Sequence, residues 1–389
     1  MINIFFDPLQ QKWSHRHEGK TYLWGKDRNV LSYAPFSPAL SFNVMRKGRR
    51  IGPIVGIITS SKGTTFAGNR ETFRRIHYAL QERGGIAFVF TPYDTKRHYV
   101  KGNLYNTETH RWVKTNMPYP DVVYNRVPFR KEEKAGTIQS VLRRLNSLKV
   151  PYFNGSFLDK WEMFECLHPD SDIAGYLPDT RLASRNSLAK ALYSWNELYL
   201  KPKAGQKGDG MIYVELTADE TIFCQSHEQA NRYESFKAFW EVVRLGLEKN
   251  PYLIQKKIHL ARHHGKPYDF RLLMQKVSGT WRLTGAGARL AGKDAITTHV
   301  PKGGELLSLE QIQPPVDLEL LTTICKQAAQ RLEEQFAPLD ELSFDIGRDR
   351  NGNHWLFEAN AKPMIFDEPE IEALRMKRLT DIFYEKSSF

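Results

Sequence analysis

Residues 341–363, ELSFDIGRDRNGNHWLFEANAKP, place two runs of alternating apolar and polar residues on either side of Asn351-Gly352. That dipeptide is the strongest short signal for a tight hairpin. A two-residue turn there sets Asp345 directly opposite Glu358, and a three-residue loop shifts the register by one. Asn360, two residues beyond Glu358, falls on the same face. Carboxylates opposed on adjacent strands repel, so the pairing calls for a cation between them. Oxygen donors from Asp, Glu and Asn suit Mg²⁺, a hard ion that also accepts phosphate oxygens. The alternative is an ordinary exposed hairpin face whose carboxylates pair with Lys or Arg.

The chain of 389 residues is long enough for two or three domains with sizeable cores. Its 41% hydrophobic and 26% charged content is that of a soluble globular protein. No apolar run approaches the roughly 20 residues of a membrane helix, and the opening MINIFFDP lacks the features of a signal peptide. Cys166, Cys224 and Cys325 are few, odd in number and widely spaced. They predict a reducing, cytoplasmic setting without a disulfide framework or a zinc site. The net charge of +12 suggests an anionic partner such as a nucleotide, an acidic peptide or an acidic polymer. Lys and Arg are scattered, densest at Arg46–Arg50, which weighs against nucleic acid.

Residues 1–50 are rich in aromatics, Pro and Ser without a helical period, and read as a β-rich N-terminal extension. Over 51–153, buried strands alternate with helices. A strand at Pro53–Thr59 leads to a helix capped by Asn69, with Phe73, Ile76, His77 and Leu80 on one face. A strand at Ile86–Thr91 follows, and later one charged helix from Lys131 to Leu148. This is the pattern of an open parallel α/β sheet. Its first turn, TSSKGTT, is neither GxGxxG nor a Walker sequence, so it is not the nucleotide site.

A third unit begins at 154. Phe157, Trp161 and Phe164 share a helical face, with Lys160 near its start. The glycine-rich loop Ala204–Gly210 joins two strands instead of opening a helix. Such a loop can lay backbone N–H groups over a phosphate chain as a lid, and Lys201 before it can reach a phosphate. A plain glycine-rich hairpin is the alternative. The helix from Asp317 to Phe336 carries an apolar stripe of Leu318, Leu321, Ile324, Cys325, Ala328, Leu332 and Phe336. The stretch Glu370–Tyr384 reads as an amphipathic helix with Ile371, Leu374, Leu379 and Ile382.

In order, the chain carries Lys160, Pro178-x-Thr180, Lys201-Pro202 with a GxxGxG loop, Ile254–Ile258, Asp269-x-Arg271, Arg289, Gly303-Gly304, Asp345 and Glu358-x-Asn360. This ordered set resembles the ATP-grasp superfamily over about 154–363. Gly52–Ile57, PDVVYNR at 120–126, Phe153-Asn154, Leu177–Thr180 and Glu358–Pro363 extend the resemblance to nearly the full length. The family they resemble is that of the YheC/YheD-type endospore coat-associated proteins.

The resemblance implies an ATP-grasp fold: two α+β subdomains, about 154–250 and 251–389, clasp ATP behind the small α/β domain and the β extension. It implies that Lys160 and Lys201 contact the phosphates and the adenine side. Gly205, Gln206, Lys207, Gly208 and Gly210 form the lid. Gln255 to Ile258 form a hinge that reads adenine through the backbone of Lys256 and Lys257. Asp345, Glu358 and Asn360 hold Mg²⁺, with Mn²⁺ the alternative ion. Arg289 steadies the transferred phosphoryl group, and Lys201 and Arg271 are the other catalytic candidates. One departure concerns ribose: the superfamily usually has an acid soon after the hinge, whereas HLARHHGKP at 259–267 is basic.

The implied activity joins a carboxylate to an amine, or to a thiol, through an acylphosphate. The implied acceptor is a peptide, protein or acidic polymer of the spore surface, met by a cytoplasmic protein that associates with the coat. Neither nucleic acid nor membrane is an expected partner. The alternative is a non-catalytic ATP-binding component of the coat. Such a component is expected to have lost Asp345, Glu358, Asn360, Lys201 or the glycines, and all are present.

Overall fold

The structure, a computed structural model of the chain, describes all residues except 36–39, 206–208, 228, 293–303 and 337. Four principal sheets follow one another along the sequence. The first is a closed six-stranded barrel built from Ile2–Asp7, Lys12–His15, Tyr22–Trp24, Asn29–Tyr33, Leu40–Lys47 and Arg50–Gly52. Ile4, Phe6, Trp13, Trp24, Phe42 and Val44 fill its interior. The expected N-terminal extension is therefore a closed barrel whose apolar residues run on into one core with Ile54, Ile58 and Phe88 of the second sheet. Strands of three to eight residues are too short for a period to stand out in the sequence.

In the second sheet, Ile54–Ile58, Ile86–Phe90, Val122–Asn125 and Tyr152–Phe153 run parallel. The hairpin Val100–Asn106/Arg111–Met117 adds an antiparallel edge to this otherwise parallel sheet. Asn69 Oδ1 caps the helix Arg70–Glu82 by accepting from the N–H of Glu71 and Thr72 at 3.0 and 3.1 Å. Alternate strand residues face opposite sides. Val55 and Ile57 pack against Arg70–Glu82 and against the helix Pro369–Ser387. Ile54 and Ile58 pack on the side of the helix Gly136–Ser147. With both faces covered, the strands read as continuous apolar runs.

The helix expected to run unbroken from Lys131 is split into Arg130–Glu133 and Gly136–Ser147. Glu133 at the break is buried: it accepts from Asn125 Nδ2 at 3.1 Å and from the Phe157 N–H at 2.7 Å, and it pairs with Lys362. A carboxylate drawn inward this way cannot stay on a solvated helical face.

The third sheet runs in the order Thr180–Leu182, Tyr252–Lys256, Glu197–Pro202, Ile212–Leu216, Ile222–Gln225 and Ala230–Tyr233. Arg185–Trp195 and Phe236–Lys249 share its core. The fourth runs Glu305–Leu307, Thr280–Leu290, Lys266–Val277, Glu341–Arg348 and His354–Asn360. The helices Lys160–Leu167 and Leu318–Phe336 share its core. Asp159 caps the first of these, so Phe157 lies outside the helix it was grouped with. Leu318 stays exposed while Leu321, Ile324, Cys325, Ala328 and Leu332 are buried.

The Pro369–Ser387 helix lies between the second and fourth sheets. It buries Glu372 and Arg375 as well as Met376, Leu379 and Phe383. Arg375 pairs with Glu341 of the fourth sheet at 2.8 Å, both side chains fully buried. Tyr124 of the second sheet donates to the same carboxylate at 2.5 Å, and Gln275 donates at 3.1 Å.

Candidate nucleotide site

The third and fourth sheets border a cavity of about 360 Å³, within the roughly 300–1,000 Å³ of small-molecule sites. At one side Asp345 lies directly opposite Glu358, and Ser343 opposite Asn360, the predicted register. The route to that register differs from the predicted turn. Five residues, Asp349–Asn353, separate the two strands. Asp349 organises them: Oδ1 accepts from the N–H of Asn351 and Asn353, both at 2.9 Å, and Oδ2 from Asn353 Nδ2 at 3.1 Å and Trp355 Nε1 at 3.0 Å. Beside this loop the pairing is offset, with Ile346 opposite Leu356, and a bulge after Asp345 restores it. Consecutive residues Phe357 and Glu358 both line the cavity as a result. Gly347 leaves room for this: a Cβ there would meet Leu260 Cδ2 and Phe357 Cε2, each at 2.5 Å.

Both carboxylates already meet a basic side chain. Lys160 Nζ lies 3.1 Å from Glu358 Oε1 and donates to the Gly205 carbonyl at 2.9 Å. Arg289 Nη2 lies 3.1 Å from Asp345 Oδ1, and the same guanidinium donates to both oxygens of Asp269 at 3.0 and 2.8 Å. Burial works against the Arg289 charge, but Asp269 and Asp345 outweigh it and raise the pKa. Arg289 thus braces two carboxylates and does not border the cavity where a phosphoryl group would lie. Arg271 sits opposite Asp345, yet its guanidinium donates to the carbonyls of Met364 at 3.2 Å and Ile365 at 3.3 Å. It too is off the cavity wall, as is Asn360.

Asp345 and Glu358, with the Asn360 amide next along the strand, supply the hard oxygen donors that a divalent cation such as Mg²⁺ prefers. Among the described residues no group of three or more His, Cys, Asp or Glu is placed to hold a metal. An ion here would complete its shell from water and phosphate, as Mg²⁺ commonly does.

Lys201 lines the cavity and donates to Gln255 Oε1 at 2.5 Å, while Gln255 Nε2 donates to Thr180 Oγ1 at 3.0 Å. Burial, then the nearby Lys160, lowers the Lys201 pKa to about 8. Gln255, Lys256, Lys257 and Ile258 all border the cavity. The Lys256 N–H donates to the Asp179 carbonyl at 2.9 Å and that of Lys257 to the Glu197 carbonyl at 3.2 Å. The N–H groups at these two hinge positions are therefore engaged within the fold.

Gly205 borders the cavity and Gly210 closes the loop, whereas Gln206, Lys207, Gly208 and Gly303 lie outside the described residues. Sequence reasoning missed Tyr199, Met211 and Phe357, which give the cavity apolar surface, and the charged Asp209, Arg262 and Arg350. Tyr199 had a signal: it lies two residues before Lys201 and so on the same strand face. The acid near the hinge is Glu197, from a distant segment, held by Lys257 Nζ at 2.5 Å and His259 Nε2 at 2.9 Å.

A family described as "YheC/D like ATP-grasp" matches residues 149–384. The chain is 31% identical over 343 residues to the endospore coat-associated protein YheD of Bacillus subtilis (strain 168), covering 82% of this chain and 75% of that protein. Among solved structures it is similar to D-alanyl-alanine synthetase A from Vibrio cholerae O1 biovar eltor str. N16961. The TM-score is 0.55 at 10% identity, covering 87% of this chain and 98% of that one. It is also similar to the ATP-grasp ligase PsnB complexed with a minimal precursor, with TM-score 0.50 at 14% identity, covering 86% and 99%.

Proposed function

Because the chain belongs to the YheC/D-like ATP-grasp family, we propose that it is an ATP- and Mg²⁺-dependent ligase that joins a carboxylate to an amine. One observation carries this reading: a single cavity gathers Asp345 and Glu358 from facing strands, Lys160 and Lys201, and the hinge from Gln255 to Ile258. Tyr199, Met211 and Phe357 offer the surface a base needs, and the lysines offer the charge a triphosphate needs. Asp345 and Glu358, with Asn360 beside them, would hold Mg²⁺, which screens phosphate charge when bound.

In the first step a carboxylate oxygen of the acceptor bonds the γ-phosphorus, the bond to the β–γ bridging oxygen breaks, and ADP leaves. In the second, an amine nitrogen attacks the acyl carbon, inorganic phosphate leaves and the nitrogen loses a proton. Lys160 and Lys201 supply positive charge where negative charge accumulates. Gly205 and Asp209, which border the cavity, belong to the stretch read as the lid that keeps water from the acylphosphate. Arg289 acts as a brace for Asp269 and Asp345, and Arg271 anchors the segment after the metal strand. Residues 154–389 carry the chemistry, behind the small α/β domain of 51–153 and the β-rich unit of 1–50. The coat-associated name of the YheD relative and the precursor bound to PsnB support a peptide, protein or acidic polymer of the spore surface as acceptor.

Mg-ATP is expected to raise the melting temperature, and Glu358→Ala to remove the Mg²⁺-dependent part of the rise. An ADP-release screen against amino acids, dipeptides and acidic peptides then identifies the acceptor. Binding without ADP release in any mixture would favour the non-catalytic coat component. Absence of stabilisation by either ATP or ADP with Mg²⁺ would refute the nucleotide site itself.

A further inference from the structure

The barrel carries charge that the cavity does not use. Residues 1–52 hold nine Lys and Arg against three Asp and Glu, a surplus of six that is half of the chain's +12. Strand register gathers much of it at one end. Arg50–Gly52 runs parallel to Tyr22–Trp24, with Leu23 opposite Arg50, and antiparallel to Leu40–Lys47, with Lys47 opposite Arg50. The turn at Gly48-Arg49 therefore lies beside the segment entering Tyr22, which carries Lys20. Ile2 lies opposite Val44, Ile4 opposite His15, and His15 opposite Tyr33. Those pairings bring Arg16, His17 and Tyr33 to the same end.

Lys20, Arg46, Lys47 and Arg49 are all exposed. Among the described residues no carboxylate pairs with them, whereas Arg50 is committed to Asp121 at 3.4 Å. The face is also remote from the cavity. The strands Ile54–Ile58 and Val122–Asn125 begin near the Arg50–Asp121 contact and end where Asn125 meets Lys362, just past the metal strand. Four or five strand residues separate the two by roughly 15 Å, too far for these cations to serve a nucleotide in the cavity.

We propose that this end of the barrel is a docking face for an acidic polypeptide. Its lining is spaced flexible cations. Its two exposed rings, His17 and Tyr33, do not form an open row: each leans on the buried His15–Tyr22 pair, with ring centroids 5.7 Å from Tyr22 and 5.8 Å from His15 respectively. Bases would need such a row to stack on, whereas closely spaced carboxylates need only the cations. The assignment does not depend on the ligase reading.

The test titrates the full chain with a fluorescent oligo-glutamate peptide at rising salt. The wild type should bind with an affinity that falls as salt screens the charges. The variant Lys20→Glu/Arg46→Glu/Arg49→Glu should lose at least about tenfold in affinity, with an unchanged circular dichroism spectrum and nucleotide-free melting temperature as the sign of an intact fold. Should the charge reversal impair folding, Lys20→Ala/Arg46→Ala/Arg49→Ala gives the same reading through a smaller loss. Equal peptide binding by a folded variant would overturn the docking face. Tighter binding of a single-stranded oligonucleotide of matched charge would overturn the polypeptide assignment.

Discussion

Lys201 Nζ donates to Gln255 Oε1 at 2.5 Å, so the most buried ammonium of the cavity has an uncharged amide as its hydrogen-bond acceptor. That choice leaves the lysine's charge poorly compensated until an anion arrives, and burial lowers its pKa from 10.5 to about 8. The folded-state value lies below the unfolded one. Between these two pH values the unfolded chain holds a proton that the folded chain has released. Stability from this group therefore rises with pH through that window.

Phosphates beside Lys201 should restore its proton. Calorimetric titration of Mg-ATP near pH 8, in two buffers of different ionisation enthalpy, should reveal net proton uptake, and Lys201→Met should abolish it. Lys362 is also lowered to about 8 by burial, but it lies at Glu133, off the cavity wall, and leaves the difference between the two proteins intact. Buffer-independent enthalpies for the wild type would contradict the assignment.

Lys160 holds Glu358 on one side and the Gly205 carbonyl on the other. Lys160→Met should weaken ATP binding by about tenfold, or about 1.4 kcal/mol. The same change should tighten the Mg²⁺ dependence of the thermal shift, because an ion at Glu358 no longer competes with the ammonium. A parallel loss of ATP and Mg²⁺ affinity would show that the lysine acts only by packing.

Gly347→Ala tests how the bulge shapes the cavity. The added Cβ would meet Phe357 and Leu260 at 2.5 Å, and both of these side chains line the cavity. Overpacking of this kind typically costs about 1–3 kcal/mol. The expected result is a modest fall in melting temperature and a larger proportional loss of ATP affinity, read by titration against the wild type.

Glu341→Gln should cost about 3 kcal/mol, because it leaves the buried Arg375 charge with only the longer contact to Glu372 at 3.4 Å. The double variant Glu341→Leu/Arg375→Met should be less destabilised than the sum of the singles. Tyr124 and Gln275, which also donate to Glu341, keep the recovery partial. Urea unfolding midpoints decide this, and simple additivity would mean that the pair contributes no coupling.

The facing strands are legible in the sequence because period-two alternation flanks them and because Asp345 and Glu358 are odd neighbours for an ordinary sheet. Their loop is not, since four hydrogen bonds to the Asp349 side chain outrank the local preference of Asn351-Gly352. Arg289 reads by type as a phosphate ligand, and its contacts to Asp269 and Asp345 come from a register, Asp269 opposite Arg289, that local sequence does not announce. Glu372 and Arg375 look like the solvated face of an amphipathic helix. Their burial depends on Glu341 and Tyr124, partners on other elements that no local pattern announces. The barrel escapes notice because its in–out alternation is cut into strands too short to count.

The helix Pro369–Ser387 also bears on how separable the parts of this chain are. The second sheet is contiguous in sequence, yet Val55, Ile57, Tyr124 and Phe153 share a core with Met376, Leu379 and Phe383, more than 200 residues downstream of Phe153. Cut after 153, that sheet would keep one side bare of its second helix and present an apolar surface to water. The small α/β unit is thus not an autonomous module to be moved or expressed alone. It reaches its final form only after the third and fourth sheets have been traversed, so assembly depends on contacts that are distant in the chain.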